Sequence, residues 1–262
     1  MDIIDFHTHV YPEKIAQKAT DSTCGFYQLE TELTGTSATL LEEGKKAGIS
    51  KFVLLPVVVK AEQTHSINEF IIEEVGKHSE FYGFGAMHIL TENPVEEIEF
   101  IRKLGLKGIK LHPDIQGFAI DDPGLFPIFD CLQGRLPLLV HCGDPRYDYS
   151  HPRRLRKVID NFPHLQIIAA HLGGWSVFDD ALKYLVDTDC FVDMSSCFNV
   201  IPPESIERYI KAYGAERVVF GTDFPLWKPK EIVDDFMKLN LTAEEKEKIA
   251  FKNALRILEG ME

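Results

Sequence analysis

The chain has 262 residues, 45% hydrophobic and 26% charged, the balance of a globular protein able to bury a large core. Its 28 basic against 41 acidic residues give a formal charge of -13, which repels nucleic-acid backbones and anionic lipid surfaces and excludes both as expected partners. The acidic start MDIIDFHTHV and the lack of a membrane-length apolar run predict a cytoplasmic protein, and five cysteines without CxxC spacing predict reduced thiols.

The first apolar run, IIDFH near residue 5, predicts a strand ending in the pair His7 and His9. From Tyr11 to Ser37 the pattern breaks, and a long loop is expected there, lying over the mouth that follows the strand. Ala38 to Ala47 has helical spacing, followed by a strand from Lys51 (KFVLLPVVV) and a helix from Ile67 to Val75. A third strand, FYGFGAM from Phe81, ends beside His88, and Val95 to Leu104 is helical. The fourth, LKGIKLH, ends in Lys110 and His112; the fifth, LPLLVH, in His141; the sixth, LQIIAAH, in His171.

Helical stretches from Leu155, Phe178 and Ile206 separate the last strands, CFVDMS from Cys190 and RVVFGTD from Arg217, the latter ending in Asp223. Pro152, Pro202 and Pro229 stand near helix starts, and Thr242 with Glu245 forms a capping box for a final helix through Ile257. Eight nearly all-apolar strands alternating with helices predict one α/β domain spanning residues 1–262, closed as a (β/α)8 TIM-like barrel.

The metal-competent residues fall at the C-terminal strand ends, where barrel sites form. Alternate residues of a strand share a face, so His7 with His9, and Lys110 with His112, can point together into the mouth. Four histidines and an aspartate gathered at one rim are costly to bury without partners, and a divalent cation satisfies them together. Imidazole and carboxylate suit Zn²⁺ first and also admit Mn²⁺, Fe²⁺ or Co²⁺. Such an ion activates water at neutral pH.

Taken in order, the HTH run, GIKLHP, LVHCGDP, AHLGG and FGTDFP resemble the amidohydrolase-related family, from Asp2 to about Ile257. The resemblance implies a distorted (β/α)8 barrel and a metal-dependent hydrolase, decarboxylase or hydratase acting on a small carboxylated or cyclic substrate, with a homodimer compatible. It implies His7, His9, His141 and Asp223 as metal ligands, Asp223 also accepting a proton, and His171 as either a further ligand or, the favoured role, general base and electrophile. Lys110 is expected to bind a substrate carboxylate around one ion; in binuclear relatives a lysine at this strand is carboxylated and bridges two.

His112, Arg146, His88 and Trp175 complete the expected substrate contacts, Arg146 as a bidentate carboxylate partner and Trp175 behind Gly173 and Gly174. The leading expectation is hydrolysis of an amide, lactone or related carboxylated substrate. A decarboxylase of an aromatic or muconate-type acid is the alternative, and a metal-bearing binding protein without turnover the third.

Overall fold

In the computed structural model, which describes residues 1–260, nine short parallel strands occupy eight barrel positions. They are β1 (Ile4–Thr8), β2 (Lys51–Leu54), β3 (Phe81–Gly83), β4 (Gly85–Ala86), β5 (Ile109–Leu111), β6 (Leu138–Val140), β7 (Ile167–Ala169), β8 (Phe191–Asp193) and β9 (Val218–Val219). β3 and β4 share the third position, interrupted at Phe84, whose N–H still donates to Leu54 O. Closure comes from backbone bonds between the first and last positions: Phe6 N to Phe220 O at 2.8 Å, Asp223 N to His7 O at 2.9 Å and His9 N to Phe224 O at 2.8 Å.

The outer layer comprises α1 (Glu13–Tyr27), α2 (Ser37–Ala47), α3 (Thr64–Lys77), α4 (Pro94–Lys103), α5 (Pro113–Gln116), α6 (Phe126–Leu132), α7 (Pro152–Asn161), α8 (Phe178–Leu185), α9 (Pro203–Tyr213), α10 (Pro229–Lys238), α11 (Ala243–Glu247) and α12 (Asn253–Glu259). No helix among the described residues is long and apolar enough to cross a membrane.

Strand side chains divide by parity, as the pleat requires. Phe52, Leu54, Ile109, Leu111, Leu138 and Val140 pack with helix residues such as Leu40, Ile71 and Ile101. Their neighbours Val53, Leu55, Leu139, Ile168 and Val219 form a second, inner cluster with Ile4, Phe6 and Phe84, to which α12 adds Ala254, Ile257 and Leu258. Ile4 and Phe6 belong to this inner set, yet His7 and His9, of opposite parity, also reach the interior. The pairing of β1 with β2 shifts register between Asp5 and Thr8, so one extra residue turns the strand and re-aims both histidines. Gly221 leaves room for them: a Cβ there would meet His7 Cβ at 2.9 Å.

Two expectations need correction. Most of the Tyr11 to Ser37 segment is not loop, because residues 13–27 form α1. Its buried positions, Ala16, Thr20 and Cys24, repeat every four residues but are small and partly polar, so the apolar period is faint in the sequence. The final helix is also interrupted. Thr242 and Glu245 do form the capping box, but a π-helical turn at Lys248–Lys252 separates α11 from α12. Asn253 there donates from Nδ2 to Ala215 O and Val218 O, both at 2.7 Å, tying α12 to the last strand.

Candidate metal centre

His7 lies in β1 and His9 just beyond it, Lys110 in β5 with His112 after it, and His141, His171 and Asp223 follow β6, β7 and β9. All seven are buried. His7 Nε2, His9 Nε2 and Asp223 Oδ1 converge, with Asp223 Oδ1 3.6 Å from the first and 3.3 Å from the second. His171 Nε2 and His141 Nδ1 meet 3.0 Å apart.

The outer hydrogen bonds decide which ring nitrogens carry hydrogens. His7 Nδ1 donates to Asp193 Oδ2 at 2.8 Å, His9 Nδ1 to Leu55 O at 2.6 Å, His141 Nε2 to Gly143 O at 3.0 Å and His171 Nδ1 to Ser195 O at 3.0 Å. The second nitrogen of each ring faces inward: Nε2 of His7 and His9 toward the Asp223 carboxylate, His141 Nδ1 and His171 Nε2 toward each other. Lys110 Nζ approaches His7 Nε2 at 3.3 Å, but the His9, His141 and His171 nitrogens face other electron pairs, which repel unless a cation lies among them. The donor set thus fits a divalent ion, and its chemistry suits zinc or another first-row metal.

Burial and the nearby Lys110 charge push His7 down to about 4, and burial also drives His141 well below the ordinary imidazole range, so both stay neutral. Burial opposes ionisation of Asp223; positive charge at His7, His9 and His171 would hold its carboxyl well below the usual range, and with those rings neutral a cation among them would supply that charge. Asp223 Oδ2 accepts from Ser196 Oγ, which in turn accepts from Trp227 Nε1 at 2.8 Å, leaving Oδ1 for the centre. Burial likewise opposes ionisation of Asp193, yet His7, His171 and Ser195 keep it a carboxylate.

A second grouping, His112, Asp114 and His141, has its imidazole donors and Asp114 Oδ2 already engaged, leaving Asp114 Oδ1 as its one unpartnered oxygen. His112 Nδ1 accepts from Ile115 N, and Asp114 Oδ2 accepts from Ser150 Oγ. His112 stacks on His141 with ring centroids 3.9 Å apart, and its Nε2 lies 2.6 Å from Tyr27 OH. With Nδ1 accepting, the Nε2 hydrogen points at the phenol oxygen, so the Tyr27 hydroxyl hydrogen is free for another acceptor.

A cavity of about 560 Å³ opens from these groups, bordered by His7, His9, His112, His141, His171 and Asp223 on one side and by α1 and α3 on the other. The remaining expected contacts divide. Trp175 borders a narrow recess beside Tyr27 and Asp223, while Lys110 is 1% exposed beneath the centre with Nζ 3.3 Å from His7 Nε2. Burial pushes Lys110 down to about 8. His88 packs edge-on against Phe118 and accepts from Leu90 N, away from the cavity. Arg146 is also turned away: its guanidinium clasps the buried Asp144, at 2.9 and 2.7 Å, and donates to Phe26 O.

Sequence reasoning missed Tyr27, Asp193 and Ser195. Tyr27 lay inside the segment expected to be loop. Asp193 ends the seventh predicted strand, as the other polar residues end theirs, and that position was the available signal.

Residues 4–260 match the protein family described as Amidohydrolase. A curated relative, 2-amino-3-carboxymuconate-6-semialdehyde decarboxylase of Dictyostelium discoideum, is 24% identical, the match covering 73% of this chain. The chain spans 65% of that relative's length. Among solved structures, 2,6-dihydroxybenzoate decarboxylase complexed with 2,6-dihydroxybenzoate superimposes with a TM-score of 0.78 at 18% identity, over 99% of this chain and 100% of the other. A dihydroxybenzoic acid decarboxylase from a Polaromonas species, with bound manganese and 2-nitroresorcinol, gives 0.75 at 17% identity over 98% and 97%. The 5-carboxyvanillate decarboxylase of Sphingomonas paucimobilis gives 0.72 at 16% identity over 98% and 99%. At these identities the structural likeness establishes the TIM-barrel fold.

Proposed function

The chain belongs to the amidohydrolase family, and from that premise we propose that it is a divalent-metal-dependent decarboxylase of an aromatic or similarly unsaturated carboxylic acid. The observation that carries the reading is the set of inward imidazole lone pairs and one carboxylate at the inner end of a 560 Å³ cavity. The same donors would serve hydrolysis, the first expectation from the sequence. The similar proteins with named activities are decarboxylases, and this favours loss of CO₂ over attack on an amide or lactone.

His7 Nε2, His9 Nε2 and Asp223 Oδ1 would hold the ion, with His141 Nδ1, after β6, turned to the same centre beside His171. When bound, the ion would draw electron density from the substrate's oxygens and lower the cost of charge developing there. Zinc and manganese both suit the donors, and one of the similar structures is described with manganese.

Tyr27 uses its free hydroxyl hydrogen to fix a substrate oxygen, its phenol oriented by His112. His171, its ring held through Nδ1 by the Ser195 carbonyl, takes a solvent proton on Nε2 and passes it to the carbon bearing the carboxylate. The carbon–carbon bond then breaks, its electron pair returns to the unsaturated system, and CO₂ leaves. His171 is thereby returned to its starting form, with its hydrogen on Nδ1. We read the chain as one catalytic domain working in the cytoplasm, in keeping with its five unpaired cysteines.

The test is a panel of hydroxybenzoates and muconate-type acids, with CO₂ release and substrate loss measured for metal-loaded and chelated protein. CO₂ formation that stops on chelation is expected. Hydrolysis of amides or lactones with no CO₂ from any acid would overturn the reading.

A further inference from the structure

Beyond the metal end, the cavity is larger and more apolar than a single-ring acid needs. An apolar cavity of about 150 Å³ suffices to hold benzene, whereas this one measures about 560 Å³. Its far walls come from α1 and α3 and the segment after β2: Ile15, Ala19, Val57, Val59, Ile67 and Phe70. Ile15 and Val59 border the cavity while 49% and 56% exposed, so the entrance itself is apolar.

Charge is confined to one end. Among the described residues no lysine or arginine borders the cavity, since Lys110 is buried beneath His7 and Arg146 is committed to Asp144 and Phe26 O. A second anionic group on the substrate would be desolvated in the apolar part without a partner. Gln63 and Ser66, at the start of α3, are the uncharged polar groups on that side.

We infer that the acid this site takes carries one carboxylate, held at the metal end, and a bulky uncharged apolar group that fills the space between α1 and α3. The inference rests on the decarboxylase reading and names its substrate class.

Isothermal titration calorimetry on the metal-loaded protein tests it with three carboxylates that need not react: benzoate, biphenyl-4-carboxylate and benzene-1,4-dicarboxylate. Biphenyl-4-carboxylate should bind at least about tenfold more tightly than benzoate, because its second ring leaves water, and the dicarboxylate more weakly than benzoate. Ala19→Phe, which fills the cavity from α1, should abolish the biphenyl advantage; a retained advantage in this variant also overturns the inference. Equal affinities for the two monocarboxylates, or a preference for the dicarboxylate, overturn this inference alone. Failure of every carboxylate to bind would sink the decarboxylase reading and this inference with it.

Discussion

Asp193 shows how a residue without contact to a substrate can govern the centre. Its Oδ2 fixes the hydrogen of His7 on Nδ1, and its Oδ1 accepts from the backbone N–H of His171 and Ser195 at 3.1 and 3.0 Å. Asp193→Asn keeps the volume and removes the charge that stabilises this arrangement. Metal affinity should fall roughly 10- to 100-fold, as for other partners that orient a ligating histidine, and titration with a fluorescent metal indicator would measure it. His171→Ala has a different signature. Turnover should drop by at least about 10²-fold, the usual contribution of a positioned proton donor, while elemental analysis finds the metal content retained. Loss of metal and turnover together would make His171 a ligand instead.

At the scale of elements, α1 is the part of the barrel that makes the site a pocket, and Arg146 holds its C-terminal end. The guanidinium joins Phe26 O to buried Asp144 and lies 4.7 Å from the Phe26 ring centroid. Arg146→Ala frees that end and leaves Asp144 unpaired, so stability should fall by about 2 kcal/mol in urea unfolding. The substrate KM should rise more than kcat falls, because Tyr27 is displaced; an unchanged KM would remove α1 from the binding step.

A second brace, Asp121 with Arg154 at 2.7 Å and Lys157 at 2.8 Å, anchors α7. Burial opposes its ionisation, but hydrogen bonds from Lys157 and Arg154 prevail and lower the carboxyl below 3.8. Because the folded value is the depressed one, the stabilisation exists above the unfolded value and vanishes as pH falls through the folded one. Lys157 is exposed, so the effect is at most about 1 kcal/mol. Asp121→Asn should therefore lose less stability than the parent on acidification below about pH 4, compared by urea midpoints.

For the whole molecule, the centre joins residues from opposite ends of the chain, from His7 to Asp223, so an ion bound there links first and last barrel positions. Binding to the folded chain alone adds about 2.7 kcal/mol when free metal is 100 times Kd. Chelation should accordingly lower Tm by roughly 5–10 °C for a chain of this size, and re-addition should restore it, with about one ion per chain by elemental analysis. An unaltered Tm in calorimetry would count against a resident ion. The formal charge of -13 repels polyanionic surfaces at long range.

The local order of residues was enough to determine the barrel and to place the candidate site residues at one rim of it. Strand and helix periods are short-range signals, and His7, His9, His141, His171 and Asp223 each stand at the end of an apolar run. Tertiary structure alone decided how those groups face one another. The register shift between Asp5 and Thr8 that turns His7 and His9 inward, and the Leu55 and Ser195 carbonyls that fix two imidazole hydrogens, arise from pairing between distant segments and have no residue-type signature. The same holds for α1, whose small inward residues hide its period, and for Arg146, drawn away from the cavity by the buried Asp144 two positions before it. Sequence spacing carries which way a strand's residues alternate; the hydrogen-bond partner that claims each polar group depends on what folding brings beside it.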